Sequence, residues 1–338
     1  MTSIPTSDTT FSSQGQLFEL ARVIGKGHGL VASQSIKRGT CIIEEFPIVA
    51  VQPVASEQKL NMPLERQIMA LSSEALKVID ELYHDPLKVD HRLLDKSRLY
   101  AIRMAVFRTN SVSMGEIGQY GTGLFPLCSR LNHSCNAKVH HSFNIATGKE
   151  TVYAVRQINK GEELVTSYIP TAWRTKKQRA ELLQQGWDFL CTCKVCVGPN
   201  AAKSEKRRER MLEIDQALAM FEKGLRPVPG LQIPVTERQA LGLSEEMLNL
   251  IREDAITDFQ LAQVYRECGK YSLKSGNIEK AIGYARKECD VERYCIGTET
   301  AHMKEGMKGV EYWLAHLLAE REKIRANHHR RGNDKKKA

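Results

Sequence analysis

A chain of 338 residues, 42% apolar and 26% charged, has the composition of a globular protein with room for two domains. No window nears the roughly 18–20 apolar residues of a membrane span. The opening stretch MTSIPTSDTTFSSQGQ lacks the basic and apolar regions of a secretion signal, so a membrane-free intracellular protein is expected. The net charge of +9 is concentrated in two places: Lys203–Arg210 has five basic and two acidic residues, the last twenty residues eight and three. The remainder is near neutral, which does not support a folded basic face that reads nucleic acid. A solvated helix start and a basic tail are expected, with nucleic acid touched at most through these segments.

Residues 1–15 are rich in Ser and Thr and are expected to be disordered. From Leu17 to Val51 the pattern is short β: LFELARVI, a glycine loop, GLVAS, then TCIIEEFPIVAV. Between about 55 and 110, Ile68, Leu71, Ala75, Ile79 and Leu82, and again Leu99, Ile102 and Val106, recur at helical spacing. This predicts a helical insertion. Strands return as GLFPL, AKVHHSFN, TVYAVRQI and ELVTSYI, separated by TGKE and NKGEE turns. TAWRTKKQRAELLQQG predicts a helix with Thr171 as its N-cap and Gly186 at its stop. Residues 201–338 read almost wholly as helix. There YRECGKYSLKSGNIEKAIGYARKECDVERY resembles one tetratricopeptide unit. Gly269 and Ala281 stand where its helices approach and Tyr265 and Tyr284 where large residues pack. Glu288 falls in a slot that usually holds a small residue.

Gly25, Gly27 and Gly29 alternate in VIGKGHGLVAS. Glycines there permit positive φ and close backbone approach, but the β-like LVAS that follows excludes a dinucleotide-binding turn, which needs a helix. Asn132, His133, Ser134 and Cys135 are consecutive. An Asn-His pair suits an adenine edge or an amino acid; a Cys-His nucleophile pair would need a turn to bring alternating side chains together. Tyr168 alone reads as a packed strand aromatic. Cys191, Cys193 and Cys196 have zinc-ligand spacing but offer three ligands where a closed site needs four. A thiol enzyme would place a Cys-x-x-Cys at a helix N-terminus beside a βαβ unit, and the flanks show none.

Taken in order, GKGHGLVAS, NHSC, GEELVTSY and CTCKVC resemble the successive motifs of SET-domain protein lysine methyltransferases. The insertion, the cysteine cap and the helical C-terminal region are similar to the SET-and-MYND branch. The likeness covers residues 16–200 and implies an α+β SET fold: short sheets with a helical insertion at about 55–110, a SET domain at 16–180 and a zinc-bound post-SET cap at 181–200. An all-α, tetratricopeptide-like domain at 201–325 and a basic tail at 326–338 follow. It implies S-adenosylmethionine held by Lys26, Gly27, His28, Asn110, Asn132 and His133 and covered by Phe189, with Tyr168 catalytic. It also implies structural zinc on Cys135, Cys191, Cys193 and Cys196; Cys128, His140 and His141 are rivals for the fourth place. The implied partner is a protein with an accessible lysine, a histone tail for example, met by a monomer in nucleus or cytoplasm. The chain departs from the family in two respects. Ala137 and Lys138 replace the usual proline and asparagine after NHSC. The MYND zinc module is also missing, since only His84 and His91 lie between Cys41 and Cys128. An inactive SET fold acting through its helical region is the alternative.

Overall fold

The computed structural model describes residues 17–53, 57–86, 89, 95–115, 119–226, 229–298 and 309–334. The expected disorder of residues 1–15 and most of the basic tail lie outside the described side chains. The chain divides into two compact units. The first is Met1–Ile169 with Ala180–Cys191 and Cys295–Gly297; the second is Pro170–Arg179, Thr192–Tyr294 and Thr298–Ala338.

In the first unit β1 (Phe18–Val23) and β2 (Gly27–Ala32) form an antiparallel hairpin in register from Phe18↔Ala32 to Val23↔Gly27. Its turn passes through Gly25 and Gly27 at φ +74° and +77°, values that favour glycine. β3 (Cys41–Glu45), β8 (Val139–Asn144) and β9 (Lys149–Ala154) make a sheet in the order β3-β9-β8. A second sheet orders β4 (Val49–Val51), β6 (Thr122–Leu124) and β5 (Val112–Ser113) as β4-β6-β5. β7 (Asn132–His133) lies parallel to β10 (Val165–Thr166). Alternation along these strands buries Leu30, Ile43, Val139, Val152 and Ala154 with Ile36 and Leu164 in one core.

The helical insertion comprises α1 (Glu57–Met69), α2 (Ser73–Asp80) and α3 (Asp95–Asn110). Its apolar stripe buries Leu64, Ile68, Ile79, Leu82, Val106 and Phe107 against Val49, Val51 and Leu124. Each such side chain contributes about 1.5–3 kcal/mol. Leu99, expected on the stripe, faces solvent instead at 42% exposure. The stretch after β10 gives α4 (Lys176–Trp187). Its N-terminus is four residues later than Thr171: Thr175 Oγ1 accepts the Gln178 N–H at 3.2 Å and Gln178 Oε1 accepts the Thr175 N–H at 2.9 Å, a reciprocal capping box. Its stop is also later. Gly186 stays helical and Asp188 takes the left-handed turn at φ +56°.

The second unit follows the short α5 (Lys194–Val197) with α6 (Ala201–Glu222), α7 (Glu237–Glu253), α8 (Phe259–Lys274), α9 (Ile278–Ile296) and α10 (Val310–Asp334). Side chains of Thr236 and Asp258 cap α7 and α8. The basic run opening α6 is not simply solvated. Arg208 is fully buried, its Nε 2.9 Å from Asp254, while Arg207 pairs with Asp254 and Arg210 with Glu246. Gly269 packs against the Ala281 carbonyl and Tyr284. Glu288 is tolerated inside because Arg266 meets it at 2.5 Å, and burial pushes its carboxyl up to about 8.

Candidate active site

The β1–β2 hairpin carries the glycine loop to the Asn-His segment. Asn132 Nδ2 donates to the His28 carbonyl at 3.2 Å and to Glu163 Oε1 at 2.9 Å. Lys26 Nζ meets Glu163 Oε2 at 2.7 Å. Gly29 explains the close approach: a Cβ there would stand 2.6 Å from Asn132 Nδ2 and 2.9 Å from Val23 Cγ2. At Gly25 and Gly27 a Cβ would meet nothing, so the turn itself is open.

The parallel pairing of Asn132 with Val165 and His133 with Thr166 sets the next contact. Two residues past Thr166, the Tyr168 N–H donates to His133 Nδ1 at 3.1 Å, and its hydroxyl donates to the Leu131 carbonyl at 2.8 Å. The Tyr168 ring lies 5.3 Å from His133, 5.0 Å from Trp187 and 6.3 Å, edge-on, from Phe189; Phe189 is 5.9 Å from His133. Burial, with Cys128 and Glu163 nearby, pushes the phenol above its ordinary range, so it stays protonated at neutral pH. Asn110 is placed differently. At the end of α3 its amide donates to the carbonyls of Tyr83 and Val106 at 2.7 and 2.8 Å.

A turn at Ser134–Asn136 swings Cys135 back so that its Sγ is 3.5 Å from His133 Nε2 and 3.9 Å from Cys191 Sγ. The sulfurs of Cys135, Cys191, Cys193 and Cys196 all lie within 4.8 Å of one another. Four thiols so grouped are a zinc-type donor set. A bound dication with four thiolates is net negative, and the buried Arg179 guanidinium 3.9 Å from Cys196 Sγ suits that charge. Cys128 groups with His141 and Glu150 instead. His140 is kept neutral by burial, which pushes it down to about 3.

The SET domain family model matches residues 27–169, the span that carries β2, the Asn-His segment and Tyr168. The chain carries a SET domain. In sequence it is similar to SMYD-type lysine methyltransferases over part of its length. Histone-lysine N-methyltransferase set5 of Schizosaccharomyces pombe is 26% identical over 308 residues, 90% of this chain and 87% of that protein. Histone-lysine N-methyltransferase SMYD3 of Mus musculus is 25% identical over 211 residues, 62% of this chain and 46% of its own. N-lysine methyltransferase SMYD2 of Homo sapiens is 27% identical over 184 residues, 51% and 41%. The matches thus span less than half of the two mammalian proteins. The crystal structure of the SET domain of LSMT bound to lysine and AdoHcy covers 93% of this chain and 89% of its own at 12% identity, with a TM-score of 0.33, too slight a likeness to argue from.

Two residues of this SET-domain site escape motif reading. Glu163 anchors both Lys26 and Asn132, and its only sequence signal is its place five residues before Tyr168 in GEELVTSY. Trp187 packs on Tyr168 because the helix runs one residue past Gly186, which the glycine disguised.

Proposed function

We propose that this chain transfers methyl groups from S-adenosylmethionine to lysine side chains of proteins, histone tails among them, in the nucleus, the cytoplasm or both. The observation that carries the reading is the meeting of Asn132, His133 and Tyr168 beside an open glycine turn within one SET domain. The set5 and SMYD2 relatives bear lysine-methyltransferase names, which supports the same class.

Lys26, Gly27 and His28 would hold the amino-acid part of the methyl donor through their backbone. Asn132 and His133 would take the amine and adenine and Phe189 would cover it; Asn110, its amide hydrogens given to Tyr83 and Val106, would have only its side-chain oxygen to offer. The open space at Gly25 and Gly27 suits a ligand lying on the backbone. When bound, S-adenosylmethionine supplies an electrophilic methyl on a cationic sulfur.

Lysine must be a neutral amine to attack, although its ordinary pKa is about 10.4. The aromatic surfaces of Tyr168, Trp187 and Phe189 disfavour the ammonium by desolvation. Tyr168, held protonated, is not the base. Its hydroxyl hydrogen is committed to Leu131, leaving oxygen lone pairs to accept from the amine and orient it. Catalysis on this reading is alignment and charge environment, with the proton leaving through water. Zinc on the four cysteines would be closed and structural, tying the Asn-His-Ser-Cys segment to the stretch that carries Trp187 and Phe189.

Incubating the full chain with methyl-labelled S-adenosylmethionine, core histones and whole-cell lysate tests the reading. Label in protein lysine is expected; no label in any fraction would overturn it in favour of an inactive SET fold.

A further inference from the structure

Outside the cofactor pocket, one face of the β3-β9-β8 sheet gathers chemistry that methyl transfer does not use. His141 on β8 pairs with Val152 on β9, so Glu150, two residues earlier, is its diagonal neighbour on the same face. Glu150 Oε1 lies 2.8 Å from His141 Nδ1. Across β9, Glu45 stands directly opposite Glu150, which sets two buried carboxylates side by side. Glu45 is satisfied by the backbone: its oxygens accept the N–H of Leu127 at 3.0 Å and of Cys128 at 2.6 Å. Those bonds pin the 3-10 turn Cys128–Arg130 onto the sheet and deliver the Cys128 side chain to the other two. One ligand atom each from Cys128, His141 and Glu150 all lie within 4.8 Å of one another. The second oxygen of Glu150 is different. Oε2 is buried and has no hydrogen-bond partner among the described residues. An unsatisfied buried acceptor costs about 1–3 kcal/mol, more when charged.

We propose that Cys128, His141 and Glu150 form a second zinc site, separate from the four-cysteine cluster. A thiolate, a carboxylate and a neutral imidazole balance the charge of one divalent cation, and the carboxylate gains the partner that the fold denies it. A sulfur ligand beside imidazole and carboxylate selects zinc over magnesium or calcium, which take oxygen. On binding, the ion displaces the thiol proton and the proton shared between His141 and Glu150. Three protein ligands leave the fourth position open. His141 keeps 25% of its side chain exposed, so the group is open to solvent on that side. Cys128 as a bare nucleophile is badly placed, being 6% exposed. The site would fix the turn leading into Leu131, the residue whose carbonyl holds the Tyr168 hydroxyl. It stands whether or not the chain transfers methyl groups.

Zinc bound to the full chain, purified without chelator and dialysed against metal-free buffer, is counted by elemental mass spectrometry. Two ions per chain are expected in the wild type and one in Cys128→Ala and in Glu150→Gln, the latter keeping the buried shape. Cobalt substitution should show thiolate-to-metal absorption that falls, without vanishing, in Cys128→Ala. One ion in the wild type overturns the proposal, as does retention of two in Glu150→Gln, which would put the second ion elsewhere, the tail histidines for instance.

Discussion

The two units are specified in opposite ways. In the first, functional side chains meet across long stretches of chain: Lys26 and Glu163 are 137 positions apart, and Asn132 reaches His28 across 104. In the second, local signals such as the Thr236 and Asp258 caps start the helices, with a few long-range pairs such as Arg208 and Asp254 between them. Polar contacts between distant segments position chemistry without adding much buried apolar area; caps and helix packing add stability without touching a ligand. Substitutions in the first unit's polar network should therefore cost function before stability, and those at the second unit's caps and helix contacts stability before function.

The largest expected effect comes from zinc removal. A strong chelator that strips all zinc should abolish methyl transfer, by freeing Cys135 from Cys191 and the turn before Leu131 from its own ion, while the far-ultraviolet circular dichroism of the helices persists. Full activity in chain shown to be zinc-free would break the comparison. Gly29→Ala comes next: the new Cβ collides with Asn132 and Val23. It should weaken S-adenosylmethionine binding by calorimetry about tenfold, the overpacking costing about 1–3 kcal/mol. Thr236→Ala should cost about 1 kcal/mol in chemical denaturation and leave turnover unchanged. The smallest effect is Gly269→Ala. A Cβ there meets only ordinary contacts at 3.6–3.7 Å, so helix propensity should win and stability should rise by up to about 1 kcal/mol. A loss at Gly269 as large as at Gly29 would erase the distinction between the two glycines.

What the sequence made legible follows the same division. Glycine alternation, the Asn-His-Ser-Cys run and the cysteine spacing are local patterns, and they pointed to the hairpin, to β7 and to the thiol cluster. Glu163 was hidden because its role depends on two partners brought in by folding. The pairing of His141 with Glu150 needs the exact β8–β9 register, since a one-residue slip would turn both side chains to opposite faces. Thr171 misled because it too begins a helix-like run, but the Thr-x-x-Gln reciprocity that decides the start belongs to Thr175. Arg208 looked like surface charge within a basic run; its burial is matched by Asp254, 46 positions on in the chain.

The central claim is that the Tyr168 hydroxyl orients a lysine for methyl transfer. It is tested most directly by single-turnover transfer from labelled S-adenosylmethionine to a protein substrate, wild type against Tyr168→Phe, with the methylated side chain located by mass spectrometry. The prediction is methyl on lysine Nζ with the wild type and a loss of about a hundredfold or more in the variant, which still folds cooperatively with its melting temperature lowered by the lost Leu131 hydrogen bond alone. Lysine methylation at the wild-type rate by a folded Tyr168→Phe chain would contradict it.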